Sequence, residues 1–310
     1  KNTEADFIFA TIQTISKQEV YQSFSKNYFD EIIIDEVHRA GAESYLRVMG
    51  YFKPTFYLGM TASPDRTDSF NIYELFNNNI VYEVRLKEAM ENDLLCPFHY
   101  FGISDLEIDG QPIDELSDFS KLYSDKRVNH IIDRIKYYGY SGNRVKGLVF
   151  CSSKQEAKAL SDEFNKRGYK TTSLTGEDSQ ERREREVERL VADSGDVLDY
   201  IFTVDIFNEG VDIPEVNQVV MLRPTQSAIV FIQQLGRGLR KSKDKDFVVI
   251  IDFIANYKNN FLIPVALSGD NSYDKDTVRK FLSQGTRYLP GTSTIHFDEI
   301  SKQRIYSAID

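Results

Sequence analysis

Short apolar runs alternate with amphipathic stretches along most of this 310-residue chain. Runs rich in β-branched and aromatic residues predict strands at 7–10, 29–34, 55–60, 147–150, 169–174, 199–204, 218–222 and 247–251. Apolar positions at helical spacing predict helices at 17–24, 42–51, 154–167 and 180–191. Several of the strand runs are apolar throughout, the pattern of strands buried on both faces. Strands alternating with helices at this spacing predict an α/β fold with parallel sheets. Residues 180–189 mix both charges at helical spacing, which reads as a solvated helix face laced with ion pairs.

The pattern lapses twice. Between residues 98 and 125 it carries Gly102, Gly110, Pro112 and the acids Asp105, Glu107, Asp109, Asp114, Glu115, Asp118 and Asp125 with no clear period, as expected of a linker. From residue 257 onward, Pro264, Gly269, Pro290 and Gly291 point to an irregular extension. The expected organisation is a first lobe at 1–98, a linker and second lobe at 99–256, and a C-terminal extension at 257–310. A hydrophobic content of 41% suffices for two cores. The net charge of -10 argues mildly against a surface coated in positive potential and does not exclude a nucleic-acid partner, whose groove must then be local. The apolar runs are too short to cross a bilayer. Cys96 and Cys151 stand apart with no C-x-x-C pair, which points to a reducing, cytoplasmic setting rather than to zinc or a disulfide.

Four segments carry candidate chemistry. Ile32-Ile-Ile-Asp-Glu-Val-His38 is an apolar strand that delivers two carboxylates at its C-terminal end, the edge where open α/β sheets bind ligands. One carboxylate can hold Mg2+ through water while the next orients an attacking water, although an Asp-Glu pair by itself also suits a helix cap. Leu58-Gly-Met-Thr-Ala-Ser-Pro64 ends a strand in the hydroxyls of Thr61 and Ser63, which could bond to the acidic pair or form an ordinary turn. In Val204-Asp-Ile-Phe-Asn-Glu-Gly-Val-Asp-Ile-Pro214, Gly210 permits a close backbone approach and Asp212 could accept from a ribose hydroxyl or cap local backbone. In Gln233-Gln-Leu-Gly-Arg-Gly-Leu-Arg240, Arg237 and Arg240 fall three apart, a spacing that can aim two guanidiniums at one phosphate.

Taken in order, these segments resemble the motifs of superfamily 2 helicases and translocases, over roughly residues 7 to 256. Asp35-Glu-Val-His38 resembles the Walker B box of the DExH branch, and Thr61-Ala-Ser63 the coupling motif. Gly147-Leu-Val-Phe-Cys-Ser-Ser153 is similar to the motif opening the second RecA-like lobe, and residues 233–240 to the arginine-finger motif. Thr61-Ala-Ser-Pro-Asp-Arg66, Leu174-Thr-Gly176 and Gly210-Val-Asp-Ile-Pro214 resemble the restriction-subunit-like branch of bacterial DEAD/DEAH helicases. Residues 288–298 resemble, more loosely, the extension in members fused to a nuclease. The resemblance implies two RecA-like lobes with ATP and Mg2+ between them. Asp35 would hold the metal through water and Glu36, beside His38, would position the attacking water. Gln233, Arg237 and Arg240 would act at the γ-phosphate, and Gly210 and Asp212 near the nucleotide. Thr14, Thr175, Gly176 and Thr203 would contact the nucleic acid, with DNA favoured over RNA and a nuclease domain or subunit as a possible partner.

The family's phosphate loop, G-x-x-x-x-G-K-[ST], is missing: no glycine in the sequence is followed by lysine. The expectation is therefore a chain that begins partway through lobe 1, lacks tight ATP binding alone and leaves strands of that lobe uncovered. The alternative is a catalytically silent nucleic-acid- or protein-binding module on the same scaffold.

Overall fold

The computed structural model describes residues 5–61, 71–84, 86–108, 111–112, 124–204, 213–223, 239–254, 263–264, 267, 274–284 and 292–309. The chain forms two compact units, Lys1–Glu83 and Val84–Asp310.

The smaller unit is built on a parallel strand pair, β1 (Glu31–Ile34) and β2 (Phe56–Gly59), with Ile34 opposite Gly59. Helix α3 (Glu43–Tyr51) connects them. The helix expected at 17–24 is a single turn, α2 (Gln18–Tyr21), and it is preceded by another single turn outside that run, α1 (Ile12–Ile15). Residues 7–10, expected as a strand, pair with nothing among the described residues. Aromatic rings carry much of this unit's packing. Tyr21, Phe24 and Phe52 are buried with Val48, and Phe29 meets Phe52 edge-on at 5.1 Å between centroids. The strand pair is thinly covered: Ile33 is 59% and Phe56 46% exposed, and Phe7 and Phe9 stand almost fully in solvent.

The larger unit is a seven-stranded parallel sheet in the order β11-β3-β10-β9-β6-β8-β7. Its strands are β3 (Phe98–Ser104), β6 (Gly147–Phe150), β7 (Thr171–Leu174), β8 (Tyr200–Thr203), β9 (Gln218–Met221), β10 (Val248–Ile254) and β11 (Thr294–Phe297). The short hairpin β4 (Glu107–Ile108) and β5 (Gln111–Pro112) lies outside it. Along β6, β8, β9 and β10 alternate residues enter opposite cores, which is why these runs are mostly apolar. Leu148, Phe150, Ile201, Val219 and Ile250 fill one side, while Val149, Phe202, Val220, Val249 and Ile251 fill the other. Helix α4 (Leu86–Glu91) precedes β3, and helix α5 (Asp125–Tyr138) covers the second side with Val128, Ile131, Ile132 and Ile135, a spacing that lines one helical face. Helix α6 (Lys154–Lys166) adds Ala157, Leu160 and Phe164. Leu190 of α7 (Gln180–Val191) and Val278, Phe281 and Leu282 of α8 (Lys275–Gln284) cover the first side. Each fully buried Leu, Ile or Phe here contributes about 1.5–3 kcal/mol.

Two expectations change. The segment at 98–125 is not linker throughout, because Phe98–Ser104 is an interior strand between β10 and β11. The compact units accordingly divide at Glu83/Val84. The region from 257 is not irregular throughout either. It contains α8, β11 and α9 (Glu299–Ile309), and β11 pairs with β3 along the sheet edge. Cys96 and Cys151 are free thiols in the two different cores. Among the described residues no helix is long and apolar enough to cross a membrane.

Candidate functional site

The acidic doublet sits where β1 ends. Asp35 is exposed, and its Oδ1 accepts the Glu36 amide at 2.9 Å. Glu36 holds a left-handed backbone, φ 51° and ψ 44°, a conformation that L residues adopt at a cost of about 1 kcal/mol or more and that clusters at functional sites. The strand ends are laced together: Met60 N donates to Ile34 O and Val37 N donates to Met60 O, both at 2.9 Å. This lacing needs Gly59, since a Cβ there would stand 2.6 Å from the Phe76 ring and 3.1 Å from the Val37 side chain.

The result brings four of the sequence-designated residues together. The buried His38 places Nδ1 3.2 Å from Glu36 Oε2 and 3.0 Å from Thr61 Oγ1. The hydrogen bond of Nδ1 runs to the Thr61 hydroxyl, with its direction set by the ring tautomer, while the buried Glu36 Oε2 stands beside the ring at ion-pair distance without hydrogen-bonding to it. The imidazole thereby joins the acidic box to the first residue of the Thr61-Ala-Ser63 segment, and a shift at either oxygen is felt at the other. The donor set also suits Mg2+. That cation keeps several waters and takes one or two carboxylates together with phosphate oxygens. Asp35 offers such a carboxylate, and among the described residues no cluster of three or more His, Cys, Asp or Glu could hold a metal by itself.

In the larger unit, Thr175 and Gly176 follow β7 at the C-terminal side of the sheet. Thr175 N donates to Asp178 Oδ2 at 2.7 Å, and Arg183 Nη2 donates to the carbonyls of Thr175 and Gly176 at 3.2 and 2.9 Å. Lys154, at the start of α6, pairs with Glu177 at 2.6 Å, which brings the Ser152–Lys154 turn beside that loop. Thr203 ends β8 and is fully buried, so as placed its side chain supports the sheet rather than an outside partner. Arg240 is exposed just after Leu239, which is buried and accepts the Cys96 amide at 2.7 Å. Lys241 pairs with Asp93 at 2.6 Å, so the segment bearing Arg240 is tied to the chain leading into β3. In the smaller unit Thr14 lies in α1, half-buried, its hydroxyl accepting from Thr11 Oγ1 at 3.0 Å. Ser63, Gly210, Asp212, Gln233 and Arg237 lie outside the described residues.

Sequence reading missed a buried ionic triad. Arg127 of α5 is completely buried and donates to Asp105 (Nη2–Oδ2 2.9 Å, Nε–Oδ2 3.1 Å) and to Glu156 (Nη1–Oε1 2.8 Å). Burial disfavours the cation, but the two carboxylates outweigh that and hold its pKa above the ordinary value. One signal was legible: Ser153-Lys-Gln-Glu156 has the S-x-x-E form of a capping box, and Glu156 N does donate to Ser153 Oγ at 3.1 Å.

Comparison with known proteins gives these arrangements a common origin. Residues 1–66 match the family of the type III restriction enzyme res subunit, and residues 126–242 match the helicase conserved C-terminal domain. Both matches, in this order, make the chain similar to superfamily 2 helicases of the restriction-subunit kind. Its relatives include IRC3 of Saccharomyces cerevisiae, named an ATP-dependent helicase, at 27% identity over 81% of this chain and 37% of the relative. The Escherichia coli type I restriction enzyme EcoAI endonuclease subunit is 24% identical over 76% of this chain and 33% of its own length. The chain thus spans about a third of the length of these two relatives. Among solved structures, the type ISP restriction-modification enzyme LlaBIII bound to DNA superposes with a TM-score of 0.64 at 17% identity, covering 96% of this chain and 24% of that one. Saccharomyces cerevisiae Dbp5 bound to RNA and ADP BeF3 does so with a TM-score of 0.55 at 14% identity, covering 97% and 68%. The fold is RecA-like, with a large parallel sheet.

Proposed function

We propose that this chain is the motor portion of a nucleic-acid-dependent ATPase, a helicase or translocase that acts on DNA in preference to RNA. The observation that carries the reading is the His38 bridge, which links Glu36 to Thr61 at 3.2 and 3.0 Å. An acidic box wired to the hydroxyl of a second motif is what a motor needs to pass a change at its nucleotide to the rest of the unit. In this reading ATP is the substrate and Mg2+ neutralises its phosphates. Asp35 holds the metal through water, Glu36 orients the attacking water, and His38 and Thr61, with Ser63, relay the change. Arg237 and Arg240 stabilise charge on the transferred phosphoryl group, with Gln233 sensing it and Gly210 and Asp212 against the nucleotide. Thr14, Thr175 and Gly176 contact the nucleic-acid backbone, and Thr203 shapes the edge on which those contacts sit. The kinship with restriction subunits supports DNA as the track and a nuclease as partner.

The alternative, for a protein without a glycine–lysine phosphate loop, is a silent binding module on the motor scaffold. ATP hydrolysis with and without DNA or RNA, by this chain and by any longer product of the same gene carrying such a loop, separates the two. The motor reading expects hydrolysis from the longer product and stimulation by DNA above RNA. A looped product whose ATPase neither nucleic acid stimulates ends it.

A further inference from the structure

The triad around Arg127 has an unequal charge count, and the imbalance shows where its effect is delivered. Two carboxylates face one guanidinium, and the surplus negative charge is met by donors from the chain. Leu106 N donates to Asp105 Oδ1 at 2.8 Å, and Ser152 donates to Glu156 Oε2 through both its amide (2.8 Å) and its hydroxyl (2.6 Å). Glu156 therefore uses one oxygen for Arg127 and the other for the Ser152 turn, while its own amide is taken by Ser153 Oγ. Ser152 is exposed, whereas all three charged residues are buried. A buried ion triad is weak evidence for stability, since well-packed apolar side chains often replace one at no loss. What apolar side chains cannot do is pin an exposed backbone turn by charge-assisted hydrogen bonds. The turn that is pinned lies at the C-terminal end of β6, where Lys154 meets Glu177 next to Thr175 and Gly176.

We propose that Arg127 is a positioning residue for nucleic-acid binding. By holding Glu156 from behind, with Asp105 fixing its far side, it sets the Ser152–Lys154 turn and thereby the phosphate-facing edge formed by that turn and the Thr175–Gly176 loop. This rests on the motor reading for the identity of the ligand, but not for the mechanical link. Arg127→Met removes the charge at similar length. Arg127→Lys keeps the charge but has a compact ammonium that cannot fork to both carboxylates.

The test measures two quantities on the full 310-residue chain: amide hydrogen exchange at Ser152–Gln155, and binding of a fluorescein-labelled single-stranded oligonucleotide. In Arg127→Met, exchange at Ser152 rises about tenfold or more, amides of β6 and β8 keep their protection, and oligonucleotide affinity falls about tenfold. Arg127→Lys recovers part of both losses. Unchanged exchange at Ser152 in a folded Arg127→Met overturns the proposal, as does faster exchange with undiminished oligonucleotide binding. If the wild-type chain binds no oligonucleotide, the nucleic-acid reading fails, and the exchange data alone decide whether Arg127 positions the turn. If Arg127→Met does not fold, Asp105→Asn serves. It loosens one arm of the clamp without touching Glu156, and it must show the same pattern at smaller size, an unchanged Ser152 amide again overturning the proposal.

Discussion

Asp252 offers a direct test of how burial is balanced in the larger sheet. It lies on β10, opposite Gly102 on one neighbour and Met221 on the other, and is 2% exposed. Among the described residues its hydrogen-bond partner is the Tyr100 hydroxyl, at 2.6 Å. Burial pushes its pKa from 3.8 to about 7, against a smaller opposing pull from that hydroxyl. Below about pH 4 the carboxyl is protonated folded and unfolded alike, and burial costs nothing through ionisation. As pH rises from about 4 to about 7, the unfolded chain loses this proton and the folded chain keeps it, so stability falls. Above about pH 7 the penalty is complete. Some three pKa steps at about 1.4 kcal/mol each set its ceiling near 4 kcal/mol. Asp252→Asn keeps an acceptor for Tyr100 and cannot ionise. Urea unfolding followed by circular dichroism should find the variant more stable than wild type at pH 8, with the gap closing towards pH 5. An Asn variant weakened by the same amount at both pH values would refute the reasoning.

Other perturbations give sharp outcomes. Gly147→Ala puts a Cβ 2.2 Å from the Tyr200 ring, whose hydroxyl is held by Gln218 Oε1 at 2.7 Å, so relief must come from the sheet. The expected cost is about 1–3 kcal/mol, read as a lower urea midpoint, and an unchanged midpoint contradicts it. His38→Ala in an ATP-hydrolysing longer product removes the ring between Glu36 and Thr61 and should lower nucleic-acid-stimulated turnover roughly 10- to 100-fold, the worth of one hydrogen bond and one close ion pair. Wild-type stimulation in that variant would strip the bridge of its relay role. Arg237→Ala in the same product should cost roughly 10^3- to 10^5-fold in ATPase rate. Retention of more than a tenth of the activity removes Arg237 from the γ-phosphate.

The sequence exposed those parts of the fold in which one chemical pattern maps to one structure. Strands β6, β8, β9 and β10 are buried on both faces, so their runs are predominantly apolar, broken by Thr203, Gln218 and Asp252, and could be recognised directly. β3 escaped because Phe98-His-Tyr-Phe-Gly-Ile-Ser104 mixes polar and apolar residues. His99 is tolerated by its bond to Thr294 Oγ1 at 2.8 Å, and Gly102 makes room for the Phe297 ring. Both partners come from β11, which no local window can see. At the candidate site, Asp35, Glu36, His38 and Thr61 stood out in two separate local motifs, and only the register of β1 on β2 shows that these motifs meet. The triad was not. Asp105 looked like one acid of an acidic linker and Arg127 lay outside every element read from the pattern, since a buried charge and a solvated one are spelled alike. Thr203 shows the converse: a residue type suited to contact a partner, enclosed by its own sheet.

The interior place of β3 has a consequence for how this chain is made. Its Tyr100 meets Asp252 across 152 residues, and its Phe98 amide meets Ser293 across 195. On a ribosome adding roughly 5–20 residues per second, β3 emerges roughly 8–30 s before its first neighbour and longer before its second. For that interval a segment bearing Phe98, Tyr100 and Phe101 has both edges open and no cover. Nascent chains should therefore engage holding chaperones over this stretch, and release from them should follow the arrival of β10.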